Sequence, residues 1–490
     1  MTMAEQKLQA NAMLILSSLC DVQRRTIGVL RRCSSARASV PELRMSKPTV
    51  RYGIAALCLG SVVSIAAQKP AVESWPSWRG AAHTGTATGE LPTAWSDTSN
   101  VKWKVEIPGR GYSTPVAWDD RLFLTTAVPT GKKAAEAPAT AAPGGGGGRA
   151  GGGTGMGEEH RLDVMAVDRA SGKILWQKTA TTATPHEGYH HIYGSFASNA
   201  PATDGQRVYA FFGSRGLFVY DLNGKLLWEK DLGIKMQMRL AFGEGTGVVV
   251  DNGRVYLQFD HEGEGAIVAL NAADGKELWR APRKESSSWA TPLIVTHAGA
   301  KQLVVTAATK VKAYDVNTGK VVWEVGGLGG NPIPQPVQLG DTVLVMSGYR
   351  NPKLMAVRLG RTGDLTGTDA VVWETTRGTS YTASPSLLDG RLYVISDNGM
   401  MNVFDAATGT PHYLQQRLPK PYNFKASPLA VKDRVYLATE EGDVLVIKTG
   451  NTFEVMATNT LTDQSFIASP IAVGNTLYLR SRTHLFAIGK

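Results

Sequence analysis

The sequence predicts an all-β fold, an eight-bladed β-propeller of four-stranded antiparallel blades whose ring is closed by an N-terminal strand that joins the C-terminal blade. Three recurrent features lead to this prediction. A small residue followed by proline recurs along the chain, a tryptophan follows it at a regular interval, and an Asp or Asn with a glycine precedes each tryptophan. A period of forty-odd residues with four short strands is typical of propeller blades.

The repeating unit is clearest between Ala290 and Trp323. It holds three short alternating apolar runs, a turn at Asn317-Thr318-Gly319, and a fourth run that carries the tryptophan. Asx side chains bond their own backbone in such turns, and glycine accepts the positive φ that a hairpin needs. Each copy therefore predicts a four-stranded meander.

Counting the copies gives eight blades. The opening proline recurs at Pro115, Pro201, Pro292, Pro336, Pro385, Pro428 and Pro470. The closing aromatic residues are Trp176, Trp228, Trp279, Trp323 and Trp373, then Tyr413 and Phe453. The 91 residues between Pro201 and Pro292 equal two periods, so one unit, which begins near residues 240–250, lacks the proline. We expect the tryptophans to fill the space between blades.

The last unit has three strands, from Ala468 to Ile488. An unpaired strand with Trp103, at Asn100–Ile107, stands ahead of the first unit. Because ring closure removes the open sheet edges, we expect this strand to complete the last blade.

The segments outside the repeats are predicted as follows. Residues 1–44 are a mis-assigned start or a disordered leader, 45–67 are a signal peptide, 68–100 are an N-terminal extension, and 101–490 form the propeller. Within the propeller, the Gly/Ala/Pro-rich residues 129–157 are a disordered loop. The apolar run in 45–67 is shorter than the about 20 residues of a membrane span. We therefore expect a periplasmic or secreted protein with no transmembrane segment in the mature chain.

Charge and cysteine content exclude several functions. Among the 490 residues, 52 are basic and 42 are acidic. The first 67 residues hold nine of the basic and three of the acidic residues, so residues 68–490 carry a net charge of +4. No basic stripe remains for nucleic acid. Cys20, Cys33 and Cys58 all precede residue 68, so the exported part has no disulfide, thiolate metal ligand or thiol nucleophile.

At its A-x-D-x-x-T-G-K-x-x-W units the sequence resembles the PQQ-like (quinoprotein-type) β-propeller repeat family, from about Trp75 to Lys490. The stretches Trp75-Pro-Ser-Trp78-Arg79-Gly80, Phe196–Pro201 and Ser288–Pro292 look like those of bacterial exported PQQ-binding-like repeat proteins. The family includes pyrroloquinoline-quinone (PQQ) dehydrogenases and a non-catalytic propeller lipoprotein of the outer-membrane barrel assembly machinery.

The resemblance implies two functions. The first is a non-catalytic binding or scaffold protein without a cofactor, whose protein partner, small molecule or saccharide binds at the axial mouth of a monomeric propeller. The alternative is a PQQ-dependent dehydrogenase of sugars or alcohols, with Ca²⁺ polarising the quinone. The vicinal disulfide of the alcohol dehydrogenases cannot form here, because the exported part has no cysteine.

Residues just before each opening proline should surround one mouth of the central channel. The predicted ligand-binding residues are Tyr112, Phe196, Asn199, Arg239, Trp289, Tyr381, Lys425 and Phe466. The aromatic members either form a stacking funnel for a planar or sugar-like ligand or pack blade against blade. Arg239, taken to replace the missing proline, either binds a carboxylate in the channel or pairs with Glu244.

A histidine-rich segment precedes the second unit. His186, Glu187, His190 and His191 offer the nitrogen and oxygen ligands of a Zn²⁺-like ion. Their spacing matches no known metal signature, and an exposed polar loop is the alternative.

Overall fold

A computed structural model describes residues 73–134 and 153–490, and the predicted leader and signal peptide (1–44 and 45–67) lie outside the described residues. In these two ranges the regular structure is β except for the 3₁₀ turns Gly213–Arg215 and Arg239–Ala241. No helix within them is long and apolar enough to cross a membrane.

Eight antiparallel sheets, here blades 1 to 8, follow one another, and in each the first to fourth strands are hydrogen-bonded in that order. The strands of blade 1 are Val116–Trp118, Arg121–Lys133, Glu158–Asp168 and Ile174–Ala183. Those of blade 2 are Ala202–Thr203, Arg207–Phe211, Leu217–Asp221 and Leu226–Lys230. Those of blade 3 are Val249–Asp251, Arg254–Phe259, Gly265–Asn271 and Glu277–Arg283. Those of blade 4 are Leu293–His297, Ala300–Val305, Lys310–Asp315 and Val321–Gly326. Those of blade 5 are Val337–Leu339, Thr342–Ser347, Lys353–Arg358 and Val371–Thr375. Those of blade 6 are Ser386–Leu388, Arg391–Ile395, Met400–Asp405 and Pro411–Arg417. Those of blade 7 are Leu429–Val431, Arg434–Ala438, Asp443–Lys448 and Val455–Thr460. Those of blade 8 are Ile471–Val473, Thr476–Arg480, His484–Ile488 and Val101–Glu106.

The eight-bladed prediction is confirmed, including the way the ring closes. Val101–Glu106 pairs antiparallel with His484–Ile488, with Val101 opposite Ile488 and Glu106 opposite His484. The first strands of neighbouring blades lie against one another, so they surround the axis. The fourth strands lie at the periphery, where residues such as Leu175 and Leu278 are partly exposed.

The tryptophans join successive blades, as expected from their position. In five cases the indole Nε1 donates to the carbonyl that follows the Asx residue in the next blade's turn: Trp103 to Arg169, Trp176 to Leu222, Trp228 to Ala272, Trp279 to Val316 and Trp373 to Ala406. The turn glycine lies against the ring, and a Cβ on Gly319 would approach Trp279 to 2.5 Å. Each tryptophan therefore fills space and satisfies a buried N–H at once.

Trp323 departs from this pattern because of an insertion in blade 5. Its Nε1 donates to Gln302 Oε1 at 2.8 Å, within its own blade. A short strand from the insertion, Gly363–Asp364, pairs in parallel with the fourth strand of blade 4 and covers the ring, which is fully buried.

Hydroxyl groups link the blades around the axis. A Ser or Thr before an opening proline accepts a backbone N–H from the equivalent segment of the preceding blade. The pairs are Gly247 to Thr291, Gln335 to Ser384, Ser384 to Ser427, Ser427 to Ser469 and Ser469 to Thr114, at 2.8–3.1 Å. In these five units the residue before the proline is small and hydroxylated because it joins two blades.

Residues 73–100, predicted only as an extension, cross the axis and are called the plug here. Ser74–Trp75 adds an antiparallel strand to the first strand of blade 1, and Thr86–Ala87 adds a parallel strand to that of blade 7. Backbone bonds also join Pro76 to Thr203 in blade 2 and Thr84 to Leu387 in blade 6. These contacts lie where the first strands end, so the plug closes one end of the channel.

The predicted disordered loop, 129–157, is partly ordered at both ends. The second strand of blade 1 continues to Lys133, which pairs with Glu158, so the predicted boundary at Pro129 is wrong. On the other side, Thr154 forms a β-bridge with Tyr189. Residues 135–152 lie outside the described residues.

Candidate functional site

The candidate site is the end of the channel where the first strands begin, opposite the plug, and is called the mouth here. The segments that enter the first strands carry most of the predicted ligand-binding residues to this end. One of them, residues 185–196, is the mouth loop, which precedes blade 2.

The mouth loop reaches blades on both sides. Arg110 Nη2 donates to the carbonyls of His191 and Ile192 at 2.6 and 3.1 Å, and Tyr112 Oη donates to Ile192 O at 3.1 Å. Lys425, which precedes blade 7, lies 4.5 Å from the ring centroid of Tyr193 in cation–π geometry. The loop therefore extends over the mouth from blade 2 as far as blade 7.

Three aromatic residues of the predicted funnel, Tyr112, Phe196 and Trp289, pack against neighbouring segments. Tyr112 is buried, and Phe196 packs edge-on against His160 and Tyr189 at centroid distances of 5.0 and 4.7 Å. Trp289 Nε1 donates to Gly243 O at 2.7 Å and so joins the entries of blades 4 and 3. Packing between neighbouring segments, the alternative expected above, describes these residues.

Tyr381 and Phe466 differ in exposure. Tyr381 is half-buried and pairs with Tyr349 at 5.2 Å. Phe466 is fully buried in the core that blades 7 and 8 share, so its prediction as a mouth residue is wrong. Both are aromatic residues at the same position before an opening proline, so the sequence pattern does not distinguish the half-buried ring from the buried one.

The polar residues at the mouth connect segments. Asn199 is buried, and its Nδ2 donates to Thr246 O at 2.8 Å between blades 2 and 3. Arg239 lies in the 3₁₀ turn well before Val249, where blade 3 begins, so it does not replace the missing proline. Its expected pairing with Glu244 is not formed, because that carboxylate accepts the N–H and hydroxyl of Ser214, both at 2.6 Å.

Two acidic residues that the sequence did not single out hold Lys425 in place. Its Nζ lies 3.0 Å from Asp397 Oδ2 and 3.5 Å from Glu440 Oε1. Burial would lower the pKa of Lys425, but the charge and hydrogen bond of Asp397, together with the charge of Glu440, outweigh burial and raise it. Asp397 also accepts the backbone N–H groups of Tyr381 and Thr382. The side chain of Lys425 is therefore a fixed positive charge at the mouth.

The structure does not bring the four predicted metal ligands together. His186 Nε2 lies 2.7 Å from Met236 O, and both oxygens of Glu187 accept the N–H of Met238. His190 stacks between His191 and Tyr193 instead. Residues 73–134 and 153–490 contain no group of three or more His, Cys, Asp or Glu side chains that could hold a metal ion.

Glu187 and Glu244 line the same cavity of about 40 Å³ under the mouth loop. That volume has room for a few water molecules. Burial raises the pKa of Glu187 to about 8, with the charge of Glu244 adding to the effect. Burial also raises the pKa of Glu244 to about 7. Both groups therefore bind protons more tightly in the folded protein than in the unfolded chain.

Protonation of Glu187 should stabilise the fold at low pH. Because its folded pKa lies above the usual value of 4.5, its contribution is present below pH 4.5 and is lost as the pH rises through 8. The unfolding free energy of the wild type should fall between pH 5 and 8. In Glu187→Gln, whose side chain mimics the neutral acid, this fall should be smaller by about 2 kcal/mol. Denaturant unfolding at several pH values measures this. The control is Glu229→Gln, because Glu229 is exposed. If the unfolding free energy of Glu187→Gln changed with pH as it does in the wild type, the prediction that Glu187 binds a proton in the folded protein would be contradicted.

The comparisons with known sequences agree with this architecture. The family model described as outer membrane protein assembly factor BamB matches residues 160–369, 219–449 and 328–488, which overlap and span more than half of the chain. A relative from Moranella endobia with that name is 25% identical over 301 residues, 57% of this chain and 68% of the relative. One from Yersinia pestis is 21% identical over 339 residues, 65% of this chain and 78% of the relative.

Solved structures share the fold. A europium-containing methanol dehydrogenase superposes with a TM-score of 0.60 at 10% identity, covering 85% of this chain and 98% of the enzyme. A quinohemoprotein alcohol dehydrogenase from Comamonas testosteroni gives 0.58 at 11% identity, covering 85% and 81%. At these identities the likeness concerns the fold. The sequence match identifies the chain as a member of the family described as outer membrane protein assembly factor BamB.

Proposed function

We propose that this protein is an exported, monomeric, non-catalytic scaffold that binds a protein component of outer-membrane assembly at its mouth. The observation that carries the proposal is that the chain's own side chains occupy both ends of the channel. Arg79 enters from the plug, and Lys425 is held between Asp397 and Glu440 at the mouth. The names of the related proteins supply the partner class.

The same contacts disfavour PQQ with Ca²⁺ at the mouth. Calcium takes six to eight oxygen ligands, several of them carboxylates. Here Asp397 and Glu440 are engaged by Lys425, and the described ranges offer no third acidic or histidine side chain to such a group. A flat quinone also needs an aromatic face, and Trp289 and Phe196 are packed into neighbouring segments.

The face that carries His191 should contact the partner, because His191 is exposed on the mouth loop. A photoreactive residue at His191 should cross-link, in the living cell, to a protein that mass spectrometry identifies as an outer-membrane assembly component. The same residue at Asp389, exposed on the hairpin of blade 6 at the plug end, should give no such adduct.

Two results would overturn this proposal. One is the same adduct at both positions, or at neither. The other is stoichiometric binding of PQQ in the presence of Ca²⁺ together with dye-linked oxidation of an alcohol or sugar, which would establish the dehydrogenase instead.

A further inference from the structure

The plug carries a charged side chain into the centre of the propeller. Arg79 is 1% exposed. Its Nη2 donates to the carbonyls of Pro385 and Pro428 at 3.0 and 2.8 Å and to Ser386 Oγ at 2.9 Å. These groups belong to the entries of blades 6 and 7, so the guanidinium extends from the plug into the channel toward the mouth.

The remaining N–H groups of Arg79 have no partner in the part of the chain that the structure describes. Nε and Nη1 are both buried and make no hydrogen bond there. No carboxylate of the described residues forms an ion pair with the guanidinium, and burial lowers the pKa of Arg79 to about 9. A buried charge without an opposite charge beside it destabilises the folded state.

Arg283 shows how the same fold neutralises a buried arginine. Its Nε and Nη2 donate to the two oxygens of Asp260 at 2.6 and 2.9 Å, and Tyr314 accepts from Nη1. Burial would lower the pKa of Arg283, but Asp260 outweighs burial and raises it. Arg79 has no such carboxylate in the described ranges, and neither does the buried Arg480, which donates to the carbonyls of Ser113 and Thr125.

The hydroxyls beside Arg79 add further donors. Ser384 and Ser427 directly precede the prolines whose carbonyls hold the guanidinium, and both are buried. Each hydroxyl accepts one backbone N–H and donates to no group of the described residues. Two N–H groups of Arg79, on Nε and Nη1, and the O–H groups of Ser384 and Ser427 are therefore buried donors without an acceptor among the described residues.

We propose that the channel holds a small monoanion, a halide or a carboxylate, that accepts from the free N–H groups of Arg79. Such an anion neutralises the guanidinium in the way that Asp260 neutralises Arg283. It also helps to fix the plug, because Arg79 donates from the plug to the entries of blades 6 and 7. The proposal does not depend on the proposed scaffold function.

Bromide tests the site in solution. In a sulfate buffer of constant ionic strength, raising bromide from 1 to 200 mM should raise the melting temperature of the full chain by about 2 °C, because a ligand that binds only the folded state stabilises it. Arg79→Gln should lose this dependence, whereas the surface variant Arg361→Gln should keep it. Formate in place of bromide distinguishes a carboxylate from a halide.

Diffraction decides the case even where Arg79→Gln does not fold. Crystals of the wild-type protein soaked in bromide should show an anomalous peak within hydrogen-bonding distance of Arg79. Absence of that peak, with water alone at the guanidinium, would overturn the proposal. An equal bromide dependence in folded Arg79→Gln would also overturn it.

Discussion

Replacing Trp279 by alanine should lower the unfolding free energy by about 3 kcal/mol and lower the melting temperature clearly. The indole packs on the turn of blade 4 and donates to Val316 O at 3.1 Å. Removing it leaves a cavity between blades 3 and 4 and takes one of two donors from Val316 O, which also accepts from Tyr256 Oη. Thermal unfolding followed by circular dichroism measures the change.

The neighbouring residue provides the control. Leu278 is on the same strand but points to the other side and is 43% exposed. Leu278→Ala should change the unfolding free energy by less than about 0.5 kcal/mol. If the two variants melted alike, the tryptophan would not join the blades as described.

Replacing Gly85 by alanine should release the plug and lower the unfolding free energy by about 4 kcal/mol. Gly85 has φ +68°, and a Cβ there would lie 1.7 Å from Arg79 Nη2 and 2.8 Å from Ser386 Oγ. The guanidinium would have to leave the carbonyls of Pro385 and Pro428, which are its acceptors. Trypsin should then cleave after Arg79, and mass spectrometry detects the fragment.

Gly390→Ala separates the clash from the cost of the backbone conformation. Gly390 has φ +73°, and nothing lies within 4 Å of the position its Cβ would take. This variant should lose only about 1 kcal/mol and leave Arg79 protected from trypsin. Equal losses in both variants, or no cleavage in Gly85→Ala, would show that the plug is not held through Arg79.

The repeat was predictable because each blade solves the same local problem. An Asx-Gly turn, an alternating strand and a tryptophan recur wherever a meander packs on the next one, so the pattern is visible in any single unit. The closing strand was predictable as well, because Trp103 carries the signature without a unit around it.

The plug and the mouth were harder to predict because their contacts join segments far apart in sequence. Arg79 binds carbonyls more than 300 residues away, and a carbonyl leaves no signal in the sequence. Phe466 and Tyr381 both lie four residues before a proline, yet one is fully buried in the core and the other is half-buried and pairs with Tyr349. Asp397 and Glu440 follow second strands rather than precede first ones, so the search before each proline missed them.

The way the ring closes also dictates the order in which this protein can finish folding. The strand Val101–Glu106 leaves the ribosome before the other strands of the eight blades, and its partner His484–Ile488 is synthesised after all of them. Until His484–Ile488 has been synthesised, the ring is open at blade 8 and two strand edges lack partners. A chain cut short before His484 keeps both edges bare, so unfinished copies differ from complete ones in a feature that proteases and chaperones can recognise.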